Sequence, residues 1–305
     1  MIDYIACLEV FAMDLKDLLV KIEVSADDTI LILDADSAFG NEIDLISKEY
    51  MQQEDRTERK SFLEQARALS DNTSEYMLYL LFWLHCALML KKEYEQLGIP
   101  EDIYIDSMKD IAYKIRECKA VKGVCGVFVD WFCCFFNLKT FGLGRLEYEI
   151  VCAHEDYTFG GYTLKAGDRA YNCHIPSAGK LTQELVEDSL HKAYQFFKKD
   201  LPGTILPVVC HSWLLYPAYL NGVFPKNSNL ARFAQNFDVI KADHNSEFHD
   251  CWRVFYKMYE DRATGLPAQT TLQRNFIKYM EDGGSFGAGF GVLLYDGKLK
   301  KIINL

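Results

Sequence analysis

Three kinds of pattern are scarce in these 305 residues, and each scarcity excludes a class of protein. No two of the ten cysteines stand in a CxxC spacing, so neither a zinc ribbon nor a thioredoxin-type redox pair is encoded. Basic clusters are missing as well. Lysines occur in short groups such as Lys91-Lys92 and Lys198-Lys199 without arginines beside them, and the formal net charge is -11. A field of that sign repels nucleic acid and anionic lipid, which argues against a polyanion as partner. The longest apolar run, Tyr76 to Leu90, falls short of the roughly 20 residues needed to span a bilayer, and it contains His85. It predicts a helix buried on nearly all sides of a bundle, with no membrane span. The N-terminal stretch MIDYIACLEVFAMDLKDLL carries Asp3, Glu9 and Asp14 without a basic region, so it does not read as a signal peptide. Free thiols in apolar surroundings then point to a cytoplasmic protein. His244, Glu247, His249 and Asp250 have metal-ligand side chains but no HExxH-type spacing, and no metal is expected.

What is present divides near residue 140. Up to Lys122 the pattern is helical: an amphipathic stretch at 62–69, caps at Asn72-Thr73-Ser74, the apolar run, a stop at Leu97-Gly98-Ile99-Pro100, and a helix over 102–119. The dense apolar segment Gly123 to Leu138 predicts one more buried helix. Ile30 to Asp36, ILILDAD, resembles a strand ending in an Asp-x-Asp phosphotransfer motif, but the residue two places on is Ala38. From Arg145 the period changes to two, with Leu146, Tyr148 and Ile150 alternating against Glu147, Glu149 and Val151. Strands are expected at 145–153, 169–175, 204–215, 237–241 and 290–295, with a closing hairpin at 299–303. Helices are expected at 181–199, 229–236 and 272–281, and in the first of these Leu185, Leu190, Ala193 and Phe197 face a core. The fold class is therefore α+β: a helical domain over 1–140 and a mixed α/β domain over 141–305 with a central, mostly antiparallel sheet.

Between the strand at 169–175 and the helix at 181–199 lies Ser177-Ala178-Gly179-Lys180. Gly179 permits close backbone approach to an oxygen and Lys180 brings positive charge, as a phosphate cradle requires. Thr182 looks like the N-cap, and Glu184 and Glu187 already complement the helix dipole, as a plain capped turn requires. Both readings stand on these residues.

Several stretches taken together resemble a bacterial acyltransferase domain-containing family. In it a helical N-acyltransferase N-terminal domain precedes a GNAT-like C-terminal domain. The matching stretches are Leu97-Gly98-Ile99-Pro100-Glu101, Phe141 to Tyr148 (FGLGRLEY), and His174-Ile175-Pro176-Ser177 with Gly179 and Leu181-Thr182. Cys210 to Leu215 (CHSWLL), Asn227-Ser228-Asn229 with Arg232-Phe233, and Thr270 to Arg274 (TTLQR) follow in order. The resemblance implies a GNAT-type sheet and transfer of an acyl group from coenzyme A to a small-molecule amine. It also implies that Ser177, Ala178, Gly179 and Lys180 hold the pyrophosphate, although one glycine stands where the usual motif has two small positions.

Such a transferase needs a base for the attacking ammonium and an acid for the departing thiolate. His174 and His211-Ser212 end the two strands that flank the loop, and Tyr216 follows the second, so these four are the catalytic candidates. Asn229 is a candidate for the pantetheine or adenine end of the cofactor. His211 and Ser212 also fit a plain role in bonding buried backbone. A different class of function, a GNAT-shaped protein that binds a ligand or partner without catalysis, fits the same residues.

Overall fold

The computed structural model describes residues 13–69, 73–128, 131–259, 263 and 265–297. The helical half comprises α1 (Leu15–Lys21), α2 (Ala26–Met51), α3 (Lys60–Arg67), α4 (Glu75–Gln96), α5 (Glu101–Lys122) and the single turn α6 (Cys133–Phe136). Short polar residues start three of these helices: Asp14 accepts from the Asp17 N–H, Ser25 from the Asp28 N–H and Ser74 from the Tyr76 N–H. The apolar run lies in α4, where Met77, Leu80, Phe82, Trp83, Leu84 and Leu90 are all buried, as expected. Its one polar interruption is satisfied, because His85 Nε2 meets the Asp36 carboxylate on α2 at 2.7 Å. No helix among the described residues is long and apolar enough to cross a membrane.

Two expectations for this half are corrected. ILILDAD is part of the long helix α2, since the strand-like Ile-Leu-Ile run follows the Ser25 cap and continues in helical period to Met51. Gly123 to Leu138 is not one helix: α5 ends at Lys122, the Val127 N–H then pairs with the Tyr76 carbonyl, and among the described residues of the segment only Cys133–Phe136 is helical. Apolar density there comes from a loop wedged against α4, with Phe136 stacked on Trp83 at 5.0 Å.

The second half opens with β1 (Thr140–Leu143), β2 (Leu146–Cys152), the hairpin β3 (Tyr157–Phe159) and β4 (Tyr162–Leu164), and β5 (Arg169–His174). Then come α7 (Gln183–Phe197), β6 (Leu206–Ser212), α8 (Pro217–Gly222), α9 (Asn229–Ala234), β7 (Asp238–Asn245), α10 (Cys251–Phe255), α11 (Thr271–Glu281) and β8 (Phe286–Tyr295). The main sheet runs β1-β2-β5-β6-β8-β7, and among its described strands β5–β6 is the parallel neighbour pair. The sheet is thus mostly antiparallel, as expected. The proposed closing hairpin at 299–303 lies outside the described residues.

Helix α7 covers one face through Val186, Leu190, Ala193 and Phe197, and the Ser189 hydroxyl donates to the Leu143 carbonyl at 2.6 Å. Leu185 does not face that core; it is 44% exposed, because it falls on the outer side of the helix beside the Thr182 cap. On the opposite face the β3–β4 hairpin packs Tyr157 and Leu164 against Val209, Val292 and Leu294. Helix α5 closes the β1 edge. There the Gly142 N–H donates to the Ser107 hydroxyl at 2.8 Å, and a Cβ on Gly142 would stand 2.5 Å from the Asp106 carbonyl.

That contact joins the helical half to the sheet, and it tolerates no side chain. Gly142→Ala should therefore lower the unfolding free energy by about 1–3 kcal/mol, the usual cost of overpacking. Chemical denaturation checks it, and an unchanged midpoint with unchanged slope would contradict the packing described.

Candidate active site

Strands β5 and β6 pair at only two positions, Tyr171 with Val208 and Asn172 with Val209. Beyond them β5 runs on to His174, held by β2 through Glu147, while β6 runs on to Ser212, held by β8 through Gly289. Each strand is anchored on its far side, so the two part. The gap opens into a cleft of about 820 Å³ between the sheet, the 176–181 loop, α9 and α10, with Lys114 of α5 and Trp131 on the helical side.

Most of the expected residues meet there. His174, Ser177, Gly179, Lys180, His211, Ser212 and Asn229 all line the cleft. Two do not. Ala178 is set back, its N–H used on the Pro176 carbonyl at 2.8 Å. Tyr216 is buried behind the strand, where its hydroxyl bonds His244 Nδ1 at 2.7 Å and Ser285 Oγ at 2.8 Å. Asn229 is the first residue of α9, and the cap itself is Ser228, which accepts from the Ala231 N–H.

His174 belongs to a dyad that sequence reasoning missed. Its Nε2 lies 2.9 Å from a Glu149 oxygen, and its ring packs against Trp131 at 4.8 Å. The hydrogen bond from His174 holds the Glu149 carboxyl below its ordinary range, against the opposing effect of burial. An ionised carboxylate accepts only, so Nε2 is the nitrogen that donates to Glu149, and Nδ1 is the one that makes no bond to it. His211, by contrast, is about half exposed, with Nε2 3.1 Å from an equally exposed Asp243.

Thr182 caps α7, accepting from the Leu185 N–H, so the helix end is already satisfied. The backbone before it is organised around Arg145. Gly179 sits at φ +81°, a left-handed conformation suited to glycine. The Pro176, Gly179 and Lys180 carbonyls all turn inward to accept from the Arg145 guanidinium at 2.9, 3.2 and 3.1 Å. Among the described residues, the N–H groups of Gly179, Lys180 and Leu181 donate to no protein acceptor. Backbone donors of that kind suit an anion.

Beneath the loop lies a buried charged cluster. Ser177 donates to Glu117, which also meets Lys114 Nζ at 3.2 Å, and Trp131 Nε1 donates to Asp110 at 2.9 Å. Burial pushes the Asp110 carboxyl up. Burial alone would lower the Lys114 ammonium, but Asp110 and Glu117 outweigh it and hold it above its ordinary value. Glu147 is 2% exposed and neither of its oxygens has a hydrogen-bond partner among the described residues; burial, then the Asp110 charge, push it well above its ordinary range. Perturbed groups gathered at a cleft are a mark of function.

Comparison with known proteins agrees with this architecture. The model of the GNAT-like C-terminal domain matches residues 140–293, and that of the N-acyltransferase N-terminal domain matches residues 13–138. Among solved structures, an acyltransferase in complex with decanoyl-CoA and teicoplanin is similar at a TM-score of 0.71 and 17% identity, over 92% of this chain and 87% of that one. A mutant acyltransferase in complex with octanoyl-CoA gives a TM-score of 0.70 at 17% identity, over 91% and 86%. At such identities the likeness establishes the fold. No curated protein matches the sequence.

The Glu147 geometry makes a stability prediction. A carboxyl whose folded pKa is raised costs stability as pH climbs from its unfolded value, about 4.3, toward the folded one. Glu147→Met removes that cost, so its stability relative to wild type should rise between pH 4 and pH 8. Urea unfolding at several pH values checks this, and a difference that does not change with pH would contradict a buried, raised carboxyl.

Proposed function

The chain belongs to the family defined by a GNAT-like C-terminal domain, here preceded by an N-acyltransferase N-terminal domain, and on that premise we propose that it is an acyl-CoA-dependent N-acyltransferase. The observation that carries this reading is the convergence of His174, the 177–180 loop and Ser212 on one cleft where β5 and β6 part. Decanoyl-CoA and octanoyl-CoA in the similar structures favour an acyl-CoA with a medium-length chain as donor, and teicoplanin in one of them favours a small-molecule acceptor. We take the acceptor group to be an amine, the two units to be 1–140 and 141–305, and the location to be the cytoplasm, in keeping with the free cysteines.

In this proposal the pantetheine arm enters between the parted strands, and the pyrophosphate meets the N–H groups of Gly179 to Leu181. Asn229 flanks the arm from α9. His174 Nδ1 takes a proton from the acceptor ammonium while Glu149 keeps the ring oriented and stabilises the imidazolium. The freed amine attacks the thioester carbonyl carbon. As the C–S bond breaks, the proton shed by the new amide nitrogen passes to the departing thiolate. Ser212, whose Oγ accepts from the Leu214 N–H and so keeps its own O–H to give, relays it. Tyr216 has no part in this step, because its hydroxyl is buried away from the cleft.

Thermal-shift measurements with CoA, acetyl-CoA and decanoyl-CoA test the reading. A ligand at 100 times its Kd should stabilise the fold by about 2.7 kcal/mol, and no shift with any of the three sinks the proposal. Gly179→Val should abolish the shift, since a branched side chain strains the left-handed backbone and covers the N–H groups. His174→Ala should keep the shift and lower amide formation by about 10²–10⁴-fold. Retained binding without amide formation by the wild type, across a panel of amines, would leave a ligand-binding protein instead.

A further inference from the structure

Arg145 is a buried cation in an unusual setting. Only 8% of it is exposed, and its guanidinium bonds go to the carbonyls of Pro176, Gly179 and Lys180. Among the described residues it forms no ion pair within 4 Å. Glu147, the carboxyl that acts on it through charge, does not bond it, and burial holds that carboxyl well above its ordinary range. Burying a charge without a counter-ion is expensive, and burial does pull the Arg145 guanidinium below its ordinary value. A protein that keeps such a charge gains something from it elsewhere.

The loop shows what that is. Its bonds to the Gly179 and Lys180 carbonyls fix the peptide planes that carry the Lys180 and Leu181 N–H groups, so the fork sets the direction of those two donors, away from itself. We propose that Arg145 is the positioning residue of the pyrophosphate site: it sets the direction of the loop's N–H groups and supplies, through the loop, the positive charge that the ligand's phosphates complete. This rests on reading the cleft as a CoA site. Glu117 and Lys114 brace the arrangement from α5, since Glu117 accepts from Ser177 at the start of the loop. In this view the helical half contributes to cofactor binding without touching the cofactor.

The consequence is a split between the two ends of the ligand. A residue that only supports the fold weakens every ligand alike, whereas Arg145 acts on the phosphates. Calorimetry of the full chain with CoA and, separately, with S-decanoyl-pantetheine, which has no phosphate, reads this directly. Arg145→Gln should weaken CoA by about tenfold or more and leave the pantetheine thioester within about twofold. Arg145→Lys should fall between, because lysine keeps the charge and loses the planar fork. Equal weakening of both ligands, or unchanged CoA affinity, overturns the proposal. If Arg145→Gln fails to fold by circular dichroism, the wild type decides: inorganic pyrophosphate should displace CoA, and failure to do so overturns the proposal. A wild type that binds no CoA sinks the functional reading itself; one that binds CoA as tightly after Arg145→Gln sinks only the part given to Arg145.

Discussion

Strands β5 and β6 lie side by side in parallel for two residue pairs and then separate, because each is bonded along its other edge to an antiparallel neighbour that does not bend with it. The gap cannot close without breaking the β2–β5 or β6–β8 ladder. Nearly everything that gives this cleft its chemistry follows from that constraint. It places His174 and Ser212 on facing lips, leaves Cys173 and Cys210 buried at the point of divergence, and delivers the chain from β5 into the 176–181 loop at the mouth of the opening. The site is fixed by ladders that continue away from it, which is how a scaffold holds geometry more rigidly than a loop does.

The helical half is not a mere cover. Helix α5 seats its backbone against Gly142 and sends Asp110, Lys114 and Glu117 into the space under the loop. Apolar residues of similar volume would pack there at less cost, since a buried ionic cluster is rarely the most stable filling. The cluster lies against the cleft and braces Ser177 through Glu117, so its expense coincides with the place where the loop must be held. Stability and function pull in opposite directions at this one layer, while the remaining core around α4 and α7 is ordinary apolar packing.

Most of the architecture was legible in the sequence, because it depends on local chemistry. Ser74 and Thr182 cap the helices that follow them, as their side chains and positions in the sequence suggest. The failures come from tertiary context. Alternation along β2 marks Glu147 and Glu149 as the solvent side of a strand, and nothing in that period announces that α5 and Trp131 cover it. Arg145 beside them is likewise indistinguishable from a surface arginine. The same blindness affects Gly123 to Leu138, where apolar density reads as helix although a loop can be equally buried. His174, Gly179 and Ser212 could be placed at the cleft because they end strands or begin a turn; Glu149 and Arg145, which bond His174 and Gly179, were missed because partnership lies across the sheet, not along the chain. Tyr216 stands near Ser212 in sequence, but the chain turns sharply at Trp213–Leu215 and carries it behind the strand.

The account stands on one claim, that the open N–H groups beside Arg145 take the phosphates of CoA. Amide hydrogen exchange with and without CoA reads those groups individually. The account predicts that the amides of Gly179, Lys180 and Leu181 become strongly protected when CoA is added, while the Tyr216–His244 region behind the strand is unchanged. Saturating CoA that leaves these three amides exchanging at their free rate, or that protects a different surface, would contradict it.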